Sequence, residues 1–292
     1  LKAEFIGLAT STELPLVILN IQRGGPSTGL PTKTEQSDLL QAIYGRHGDA
    51  TIPVIAANSP SNCFDTAIEA VRIALTYSTP IIVLSDLYLA NGAEPWKIPS
   101  VDSYPKIEVS LAPEGEPYIT FARDEETLAR KLAIPGQKGL EHRIGGLEKD
   151  EAGSVSYDPD NHEQMTHLRE EKIKRIANSI PPTRVFGETS GKVLVLGWGG
   201  TYGSITAAVG AMQAEGFSVS SAHLTHLHPL PNDLKEVMSK FDKILIPELN
   251  MGQLSVLIRS QLLVDTISFN KVKGQPFKVK ELTKRIHELI QE

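Results

Sequence analysis

Four largely apolar runs constrain the fold of this chain more than any other feature of its sequence. The runs cover residues 16–19, 53–57, 80–86 and 192–196, and segments with helical periodicity lie between them. Short apolar runs of this kind are typical of strands buried on both faces, and strands that alternate with helices form parallel sheets. The pattern therefore predicts an α/β protein whose parallel sheets are covered by helices on both faces.

Length and composition narrow the class of protein further. The chain has 292 residues, of which 40% are hydrophobic and 22% charged, and these values are typical of a globular protein with about two domains. The net charge of -6 argues against nucleic acid as a partner, because a nucleic-acid-binding surface needs a basic face. No apolar run approaches the ~20 residues that a membrane-spanning helix needs, so we expect no membrane partner.

The chain contains one cysteine, Cys63. An intrachain disulfide is therefore excluded, and a cytoplasmic location is predicted. A single thiol cannot hold an iron–sulfur cluster, which normally takes about four cysteinates, so any such cluster would belong to a partner chain. Cys63 lies at a predicted helix start, where the pKa of a thiol can be lowered. A plain helix-start residue is nevertheless the favoured interpretation over a nucleophile.

A glycine-rich loop follows the first apolar run. Residues 22–36 include Gly24, Gly25 and Gly29, which let a backbone approach a ligand closely or adopt positive φ. Arg23, at the end of the predicted strand, offers a planar donor fork suited to a carboxylate or a phosphate. Because ligands bind at the carboxyl ends of parallel strands, the pattern indicates a binding loop. The alternative is a solvated loop whose arginine pairs with a nearby acid.

The second half contains three patterns that could suggest a ligand site. Residues 197–203 are glycine-rich, but the third glycine comes one residue too late for a dinucleotide fingerprint and the following strand lacks its terminal acid, so we predict a turn that packs a helix on a strand. His223, His226 and His228 alternate, but no carboxylate or cysteine lies nearby in the sequence, and we predict no metal site. Glu248, at a strand end, suits a contact between domains or subunits.

Several segments carry a resemblance to a known family. They are residues 22–36, 38–40, 44–48, 84–92, 145–148, 169–173 and 248–254. In these segments the chain resembles the alpha subunit of 2-oxoacid:ferredoxin oxidoreductases, and in particular the 2-oxoglutarate branch. The likeness extends over nearly the whole chain, and the fifteen-residue segment 22–36 is highly specific.

The resemblance implies a domain organisation. The family's alpha subunit supplies a thiamine-type pyrimidine-binding domain with a parallel sheet, followed by a transketolase C-terminal-like α/β domain. On this basis we expect residues 1–110 to form the first domain and residues 191–292 the second. Residues 111–190 are then an interdomain linker with one helix, which periodicity predicts at about residues 162–180.

The resemblance also implies a reaction. The family oxidatively decarboxylates a 2-oxoacid, here 2-oxoglutarate, to an acyl-coenzyme A, here succinyl-coenzyme A, and passes electrons to ferredoxin. The beta subunit holds thiamine diphosphate, Mg²⁺ and an iron–sulfur cluster, and this chain has neither a Gly-Asp-Gly segment nor the cysteines for a cluster. By resemblance, Arg23 binds the substrate carboxylate and Thr32 adds a hydrogen bond beside the reacting carbon. No catalytic residue or metal ligand is expected on this chain.

The chain departs from the family pattern at its amino terminus. The family's first loop, of Tyr-Pro-Ile-Thr-Pro type, is absent, and so is any acidic residue that activates the cofactor. Residues 1–9 read as the middle of an amphipathic helix, so we expect that an amino-terminal part is missing and that the half-site is incomplete.

Two alternatives to a 2-oxoglutarate oxidoreductase subunit stay open. One is a subunit specific for pyruvate, a branched-chain or an aryl 2-oxoacid, and the other is a noncatalytic scaffold.

Overall fold

The computed structural model describes residues 2–292, which form two β-sheets surrounded by α-helices. The strands are β1 (Leu16–Gln22), β2 (Val54–Ala56), β3 (Pro80–Asp86), β4 (Val185–Phe186), β5 (Gly191–Trp198), β6 (Val219–Leu224), β7 (His226–His228), β8 (Phe241–Glu248) and β9 (Ile267–Asn270). The helices are α1 (Lys2–Thr12), α2 (Leu39–Tyr44), α3 (Asn62–Tyr77), α4 (Leu87–Asn91), α5 (Pro159–Arg175), α6 (Tyr202–Ala214), α7 (Leu234–Met238), α8 (Gln253–Leu262) and α9 (Val279–Gln291). Within this part of the chain no helix is both long and apolar enough to cross a membrane.

The first sheet has the strand order β1-β3-β2-β7. Strands β1, β3 and β2 are parallel, as predicted, and β7 pairs with β2 in the antiparallel direction. The prediction that these strands are buried on both faces is wrong for β1, because β1 is an edge strand whose Leu16, Leu19 and Ile21 side chains are exposed. The β1–β3 register brings Gln22 opposite Asp86 at the carboxyl edge of the sheet. The loop after β1 and the loop after β3 therefore begin side by side.

The second sheet has the strand order β4-β6-β5-β8-β9. Strands β6, β5, β8 and β9 are parallel, and β4 is an antiparallel edge strand. Side chains on β5 alternate between two cores, as the pleat of a strand requires. Val193 and Val195 pack with α6 and α9, whereas Leu194 and Leu196 join a core that also contains residues of the first sheet. The two halves of the chain thus share one apolar interior.

The long segment between the sheets is held by a buried charge cluster. The Glu13 side chain is 1% exposed, and it forms salt bridges with Lys172 and Arg123, both with N–O distances of 2.5 Å. Burial raises the pKa of Glu13, but the two adjacent cations outweigh burial and lower this pKa to about 2. The ionised carboxylate therefore ties the end of α1 to α5 and to the intervening segment.

The predicted fold class, two parallel-sheet α/β units, is confirmed. Several boundaries differ. Helix α5 begins earlier than predicted because the Asp158 carboxylate accepts hydrogen bonds from the backbone N–H groups of Asp160 and Asn161, and Pro159 occupies its first turn. Helix α7 is short, because Phe241 already pairs with Gly191 as the first residue of β8.

Strands β4, β7 and β9 are only two to four residues long and lack the apolar runs that predict strands. Strand β7 comes from the second half of the sequence but belongs to the first sheet. The domain boundaries at residues 110 and 190 stay a prediction.

Candidate functional site

The glycine-rich loop of residues 22–36, called the arginine loop from here on, lies at the carboxyl edge of the first sheet. Its neck is closed by backbone hydrogen bonds from Gly24 N–H to the Lys33 carbonyl and from Leu30 N–H to the Gly24 carbonyl, both 2.9 Å. Gly29 has a φ of +48°, and a Cβ atom at this position would lie 1.9 Å from the Gly24 carbonyl oxygen. Only glycine fits there, so the tight shape of the loop explains this residue.

Arg23 and Thr32, the two predicted substrate-binding residues, are both exposed on the arginine loop. The Arg23 side chain forms no hydrogen bond or salt bridge with another residue in the range 2–292, so the alternative of an arginine paired to a nearby acid is not what the structure shows. Thr32 has a φ of +60°, a left-handed conformation that is uncommon for a threonine. An exposed guanidinium of this kind can bind a carboxylate through two parallel hydrogen bonds.

The end of the arginine loop is anchored to Asp86, which is 1% exposed at the end of β3. Its Oδ1 atom accepts a hydrogen bond from the Thr34 hydroxyl at 2.9 Å and from the backbone N–H groups of Tyr88 and Leu89. Its Oδ2 atom accepts one from Gly200 N–H at 3.1 Å. Burial raises the pKa of Asp86 despite these donors. One carboxylate therefore joins the loop, β3 and the second half of the chain.

Gln36, the last residue of the arginine loop, is 0% exposed and bonds only to the second half. Its Nε2 atom donates to the Trp198 carbonyl at 2.7 Å, and its Oε1 atom accepts from Leu249 N–H at 3.0 Å. Its backbone N–H donates to the Leu249 carbonyl, and its own carbonyl accepts from the Asn250 side chain. Because its backbone N–H and carbonyl groups both bond to the second half, Gln36 is not part of α2, which begins at Leu39.

Glu248 supports the groups that hold Gln36. It is 0% exposed, and it accepts hydrogen bonds from the Trp198 indole, from the Asn250 amide and from the backbone N–H groups of Leu254 and Ser255. Burial raises the pKa of Glu248. All of these donors lie in the second half of the chain, so Glu248 acts on the first half only indirectly, through Trp198 and Asn250. A contact of Glu248 itself between domains or subunits stays a prediction.

The glycine-rich turn of residues 197–203, called the buried turn from here on, packs against the first half of the chain. A Cβ atom at Gly199 would lie 2.8 Å from the Gln36 side chain, and one at Gly200 would lie 2.5 Å from the Asp86 carboxylate. The N–H group of Gly200 is already bonded to that carboxylate. The predicted packing of a helix on a strand is confirmed at Gly197, where a Cβ atom would lie 2.3 Å from the Ile205 side chain of α6. The other two glycines instead make room for side chains of the first half.

The three alternating histidines have three different partners. His223 Nε2 lies 3.0 Å from the Gly199 carbonyl, and His226 lies 2.9 Å from a Glu69 carboxylate oxygen. His228 lies 3.0 Å from the Thr51 hydroxyl. Burial lowers the pKa of His223 and of His228 to about 4, so both are neutral at physiological pH. The three rings do not converge, and residues 2–292 contain no group of three or more His, Cys, Asp or Glu side chains placed to hold a metal ion.

Cys63 lies in the first turn of α3, as predicted. Burial and the negative charge of Asp86 raise the pKa of its thiol. A raised pKa reduces the thiolate fraction, so the structure favours a plain helix-start residue over a nucleophile.

A cleft of about 960 Å³ lies between α3, residues 179–186 and the start of α6. Its walls include Arg72, Arg184, Tyr202 and His223, and none of its lining residues belongs to the arginine loop. The cleft and the arginine loop are therefore separate features of the surface.

The residues that anchor the arginine loop were not predicted from the sequence. Thr34 and Gln36 lie inside the segment singled out for its glycines, but their partners are far away in sequence. Asp86 could have been found from the sequence, because an aspartate directly before a helix is a typical N-cap. Its carboxylate does accept hydrogen bonds from the first-turn N–H groups of α4.

Comparison with known proteins identifies the class. Residues 1–158 match the thiamine diphosphate-binding domain family of pyruvate flavodoxin/ferredoxin oxidoreductases. The chain belongs to this family.

Individual relatives agree with that assignment. The chain is 51% identical over 97% of its length to the 2-oxoglutarate oxidoreductase subunit KorA of Mycobacterium tuberculosis, and it covers 43% of that relative. It is 31% identical over 87% of its length to the 2-oxoglutarate synthase subunit KorA of Methanothermobacter marburgensis, of which it covers 68%.

A solved structure shows the same fold. It is the 2-oxoglutarate:ferredoxin oxidoreductase of Magnetococcus marinus with 2-oxoglutarate, coenzyme A and succinyl-coenzyme A bound. The TM-score is 0.92 with 32% identity, over 98% of this chain and 50% of that one. The chain thus spans about half the length of this structure's chain and less than half of the relative from Mycobacterium tuberculosis.

Proposed function

We propose that the chain forms part of the alpha-type subunit of a thiamine diphosphate-dependent 2-oxoacid:ferredoxin oxidoreductase that acts on 2-oxoglutarate. The observation that carries the proposal is the exposed Arg23, whose side chain has no partner among the residues that the structure describes, on a loop of fixed shape. The 51% identity to a 2-oxoglutarate oxidoreductase subunit supports 2-oxoglutarate as the substrate. The proposed reaction is oxidative decarboxylation to succinyl-coenzyme A, with the electrons passed to ferredoxin.

In this proposal Arg23 binds the carboxylate of the 2-oxoacid through both arms of its guanidinium. Fixing the carboxylate also fixes the direction of the neighbouring 2-oxo carbon, and such positioning is a large part of enzymatic rate enhancement. The Thr32 hydroxyl donates a hydrogen bond to a substrate oxygen beside the reacting carbon. Both side chains are accessible for these contacts, because both are exposed on the same loop.

The residues of this chain do not fit the metal-binding end of the cofactor. The diphosphate is held with Mg²⁺, which needs carboxylate and carbonyl ligands, and residues 2–292 offer no cluster of three or more acidic, His or Cys side chains for a metal. We therefore assign thiamine diphosphate and Mg²⁺ to a site that the beta subunit holds or shares. The iron–sulfur cluster belongs to the partner as well, since this chain has one cysteine. We also propose that the complex is cytoplasmic and acts with ferredoxin and coenzyme A.

A second candidate keeps the chemistry and changes the substrate. The family description names pyruvate, so a pyruvate, branched-chain or aryl 2-oxoacid oxidoreductase is the alternative within the same class. A noncatalytic scaffold subunit is the alternative outside it.

Copurification and substrate turnover test the proposal together. The full-length protein, purified with its natural partners, should bring a second chain with brown iron–sulfur absorbance. The complex should reduce ferredoxin with 2-oxoglutarate and coenzyme A at a higher kcat/KM than with pyruvate. A preference for pyruvate would favour the second candidate, and purification without a coloured partner would favour a scaffold.

A further inference from the structure

The second sheet has a crevice at its carboxyl edge where ligands usually bind in α/β proteins. From β5 the chain continues through α6 to β6 on one side, and β8 lies on the other side of β5. The strand order therefore reverses between β5 and β8, and open α/β sheets bind ligands outside the strand ends at such a point. The strand ends that flank the crevice are Trp198 and Glu248.

Gln36 of the arginine loop occupies this crevice. Its side chain donates to the carbonyl of Trp198 on one flank and accepts from Leu249 N–H on the other, at 2.7 and 3.0 Å. The side chain is fully buried, and each of its polar atoms has a partner. The place that holds a ligand in other α/β sheets is thus filled by a residue of the same chain.

A second contact lies two residues earlier in the arginine loop. Thr34 is 4% exposed, and its hydroxyl donates a hydrogen bond to one carboxylate oxygen of Asp86. The other carboxylate oxygen of Asp86 accepts a hydrogen bond from the Gly200 N–H in the buried turn. Through hydrogen bonds the loop therefore reaches the second half of the chain in two places, once through Asp86 and once directly through Gln36. Arg23 and Thr32, by contrast, are exposed, and their side chains form no hydrogen bond with another residue in the range 2–292.

We infer that Thr34 and Gln36 are positioning residues, through which the second half of the chain holds the arginine loop in the shape that presents Arg23 and Thr32. The substrate-facing part of this inference rests on the proposed function, whereas the anchoring of the loop does not. A buried hydrogen bond from a hydroxyl to a carboxylate restricts the loop to one arrangement, and preorganised groups bind better because less ordering is needed on binding.

Hydrogen exchange of the full-length protein in complex with its partners tests the anchoring without any need for turnover. Thr34→Val keeps the shape of the side chain and removes the hydroxyl. Exchange of the Gly24, Leu30 and Lys33 amides, which close the neck of the loop, should become about fivefold faster, as expected for the loss of one hydrogen bond. Exchange in β1 should not change. An unchanged rate at the three neck amides would overturn the inference.

Three further variants make the result specific. Thr34→Ser keeps the hydroxyl and should restore slow exchange. Thr66→Val is the matched control, because Thr66 is 2% exposed and donates its hydroxyl to Asn62 within α3, away from the loop. Gln36→Met should accelerate exchange of the same neck amides more than Thr34→Val, since it leaves the Trp198 carbonyl without its donor.

Kinetics of the same complexes test the positioning role. Thr34→Val should lower kcat/KM for 2-oxoglutarate about fivefold, and Thr34→Ser should restore it. Normal turnover in Thr34→Val, with an active wild-type complex, would overturn the positioning role and leave the proposed function standing. An inactive wild-type complex would overturn the proposed function, while the exchange result would still decide the anchoring.

Discussion

The chain contains two glycine-rich turns that follow parallel strands, and one turn is exposed whereas the other is buried. In the arginine loop, after β1, the glycines close a tight neck and leave Arg23 exposed without a partner among residues 2–292. In the buried turn, after β5, Gly199 and Gly200 are buried against Gln36 and Asp86. The first turn is open to a ligand, and the second is closed by the first.

This contrast shows that a glycine-rich turn at a strand end does not by itself indicate a ligand site. Glycine permits close approach, but the neighbouring side chains decide what approaches. At the buried turn the approaching groups are Asp86 and Gln36, which are themselves needed to hold the arginine loop. The residues that fill the crevice at the end of β5 thus also hold the arginine loop in its shape.

The largest expected effect is the loss of activity when the exposed charge of Arg23 on the arginine loop is removed. Arg23→Ala in the complete complex should lower kcat/KM for 2-oxoglutarate at least tenfold, because an unpaired substrate carboxylate in a partly desolvated site costs about 2 to 5 kcal/mol. Arg23→Lys should fall between the wild type and Arg23→Ala, since it keeps the charge and loses the two-armed geometry. Thermal unfolding should be unchanged in both variants because Arg23 is exposed. Wild-type turnover in Arg23→Ala would show that the loop does not bind the substrate.

Arg184 is a better control for the Arg23 variants than Arg46. Arg46, which looks like a solvated helix cap in the sequence, donates hydrogen bonds to the carbonyls of Ala42, Ile43 and Ala50, and burial lowers its pKa to about 10. Its replacement would affect stability. Arg184 is exposed, and its side chain has no hydrogen bond or salt bridge within residues 2–292, so Arg184→Ala is the better control and should leave kcat/KM unchanged.

The next largest expected effect is on stability and concerns the buried turn. Gly200→Ala should lower the free energy of unfolding by about 1 to 3 kcal/mol, because the added methyl group would lie 2.5 Å from an Asp86 carboxylate oxygen. Gly203→Ala is the matched control, since a Cβ atom at Gly203 has no heavy atom within 4 Å. Urea unfolding of both variants measures the difference. Equal stability of the two would mean that the buried turn is not tightly packed.

The smallest expected effect is on the pH dependence of stability. The pKa of His223 and of His228 is about 4 in the folded state because both rings are buried, below the ordinary value of 6.5. The unfolded state therefore takes up protons first, and stability should fall as the pH drops from about 6.5 towards 4. Between pH 7 and pH 5.5 each histidine should contribute a loss of roughly 1 kcal/mol.

Unfolding at several pH values measures this dependence. His223→Gln keeps an amide donor for the Gly199 carbonyl and removes the titrating ring, so the loss on acidification should be roughly halved. The full wild-type slope in His223→Gln would contradict the buried, neutral state of His223.

The parts of the fold that depend on local sequence could be predicted. The apolar runs gave β1, β2, β3 and β5, and Ser61 marked the start of α3 within one residue. Short edge strands could not be predicted, because β7 is a strand only through its pairing with β2, which lies far away in sequence. Tertiary contacts of this kind decide short strands more than their own residues do.

The candidate site was predictable in the same uneven way. The exposed face of the arginine loop followed from Arg23 and the glycines at a strand end. The anchoring of the loop did not, because Gln36 and Trp198 are 162 residues apart in sequence. Nothing in the local pattern around Gln36 distinguishes it from a solvated loop residue.

The binding of substrate by Arg23 can be seen in a structure of the complete complex with 2-oxoglutarate, determined before turnover. We expect a substrate carboxylate held by both arms of the Arg23 guanidinium at about 2.7 to 2.9 Å. We also expect Gln36 and Asp86 to close the buried turn in that complex. Substrate bound at the buried turn, or a substrate carboxylate out of reach of Arg23, would contradict both the proposed site and the anchoring of the loop.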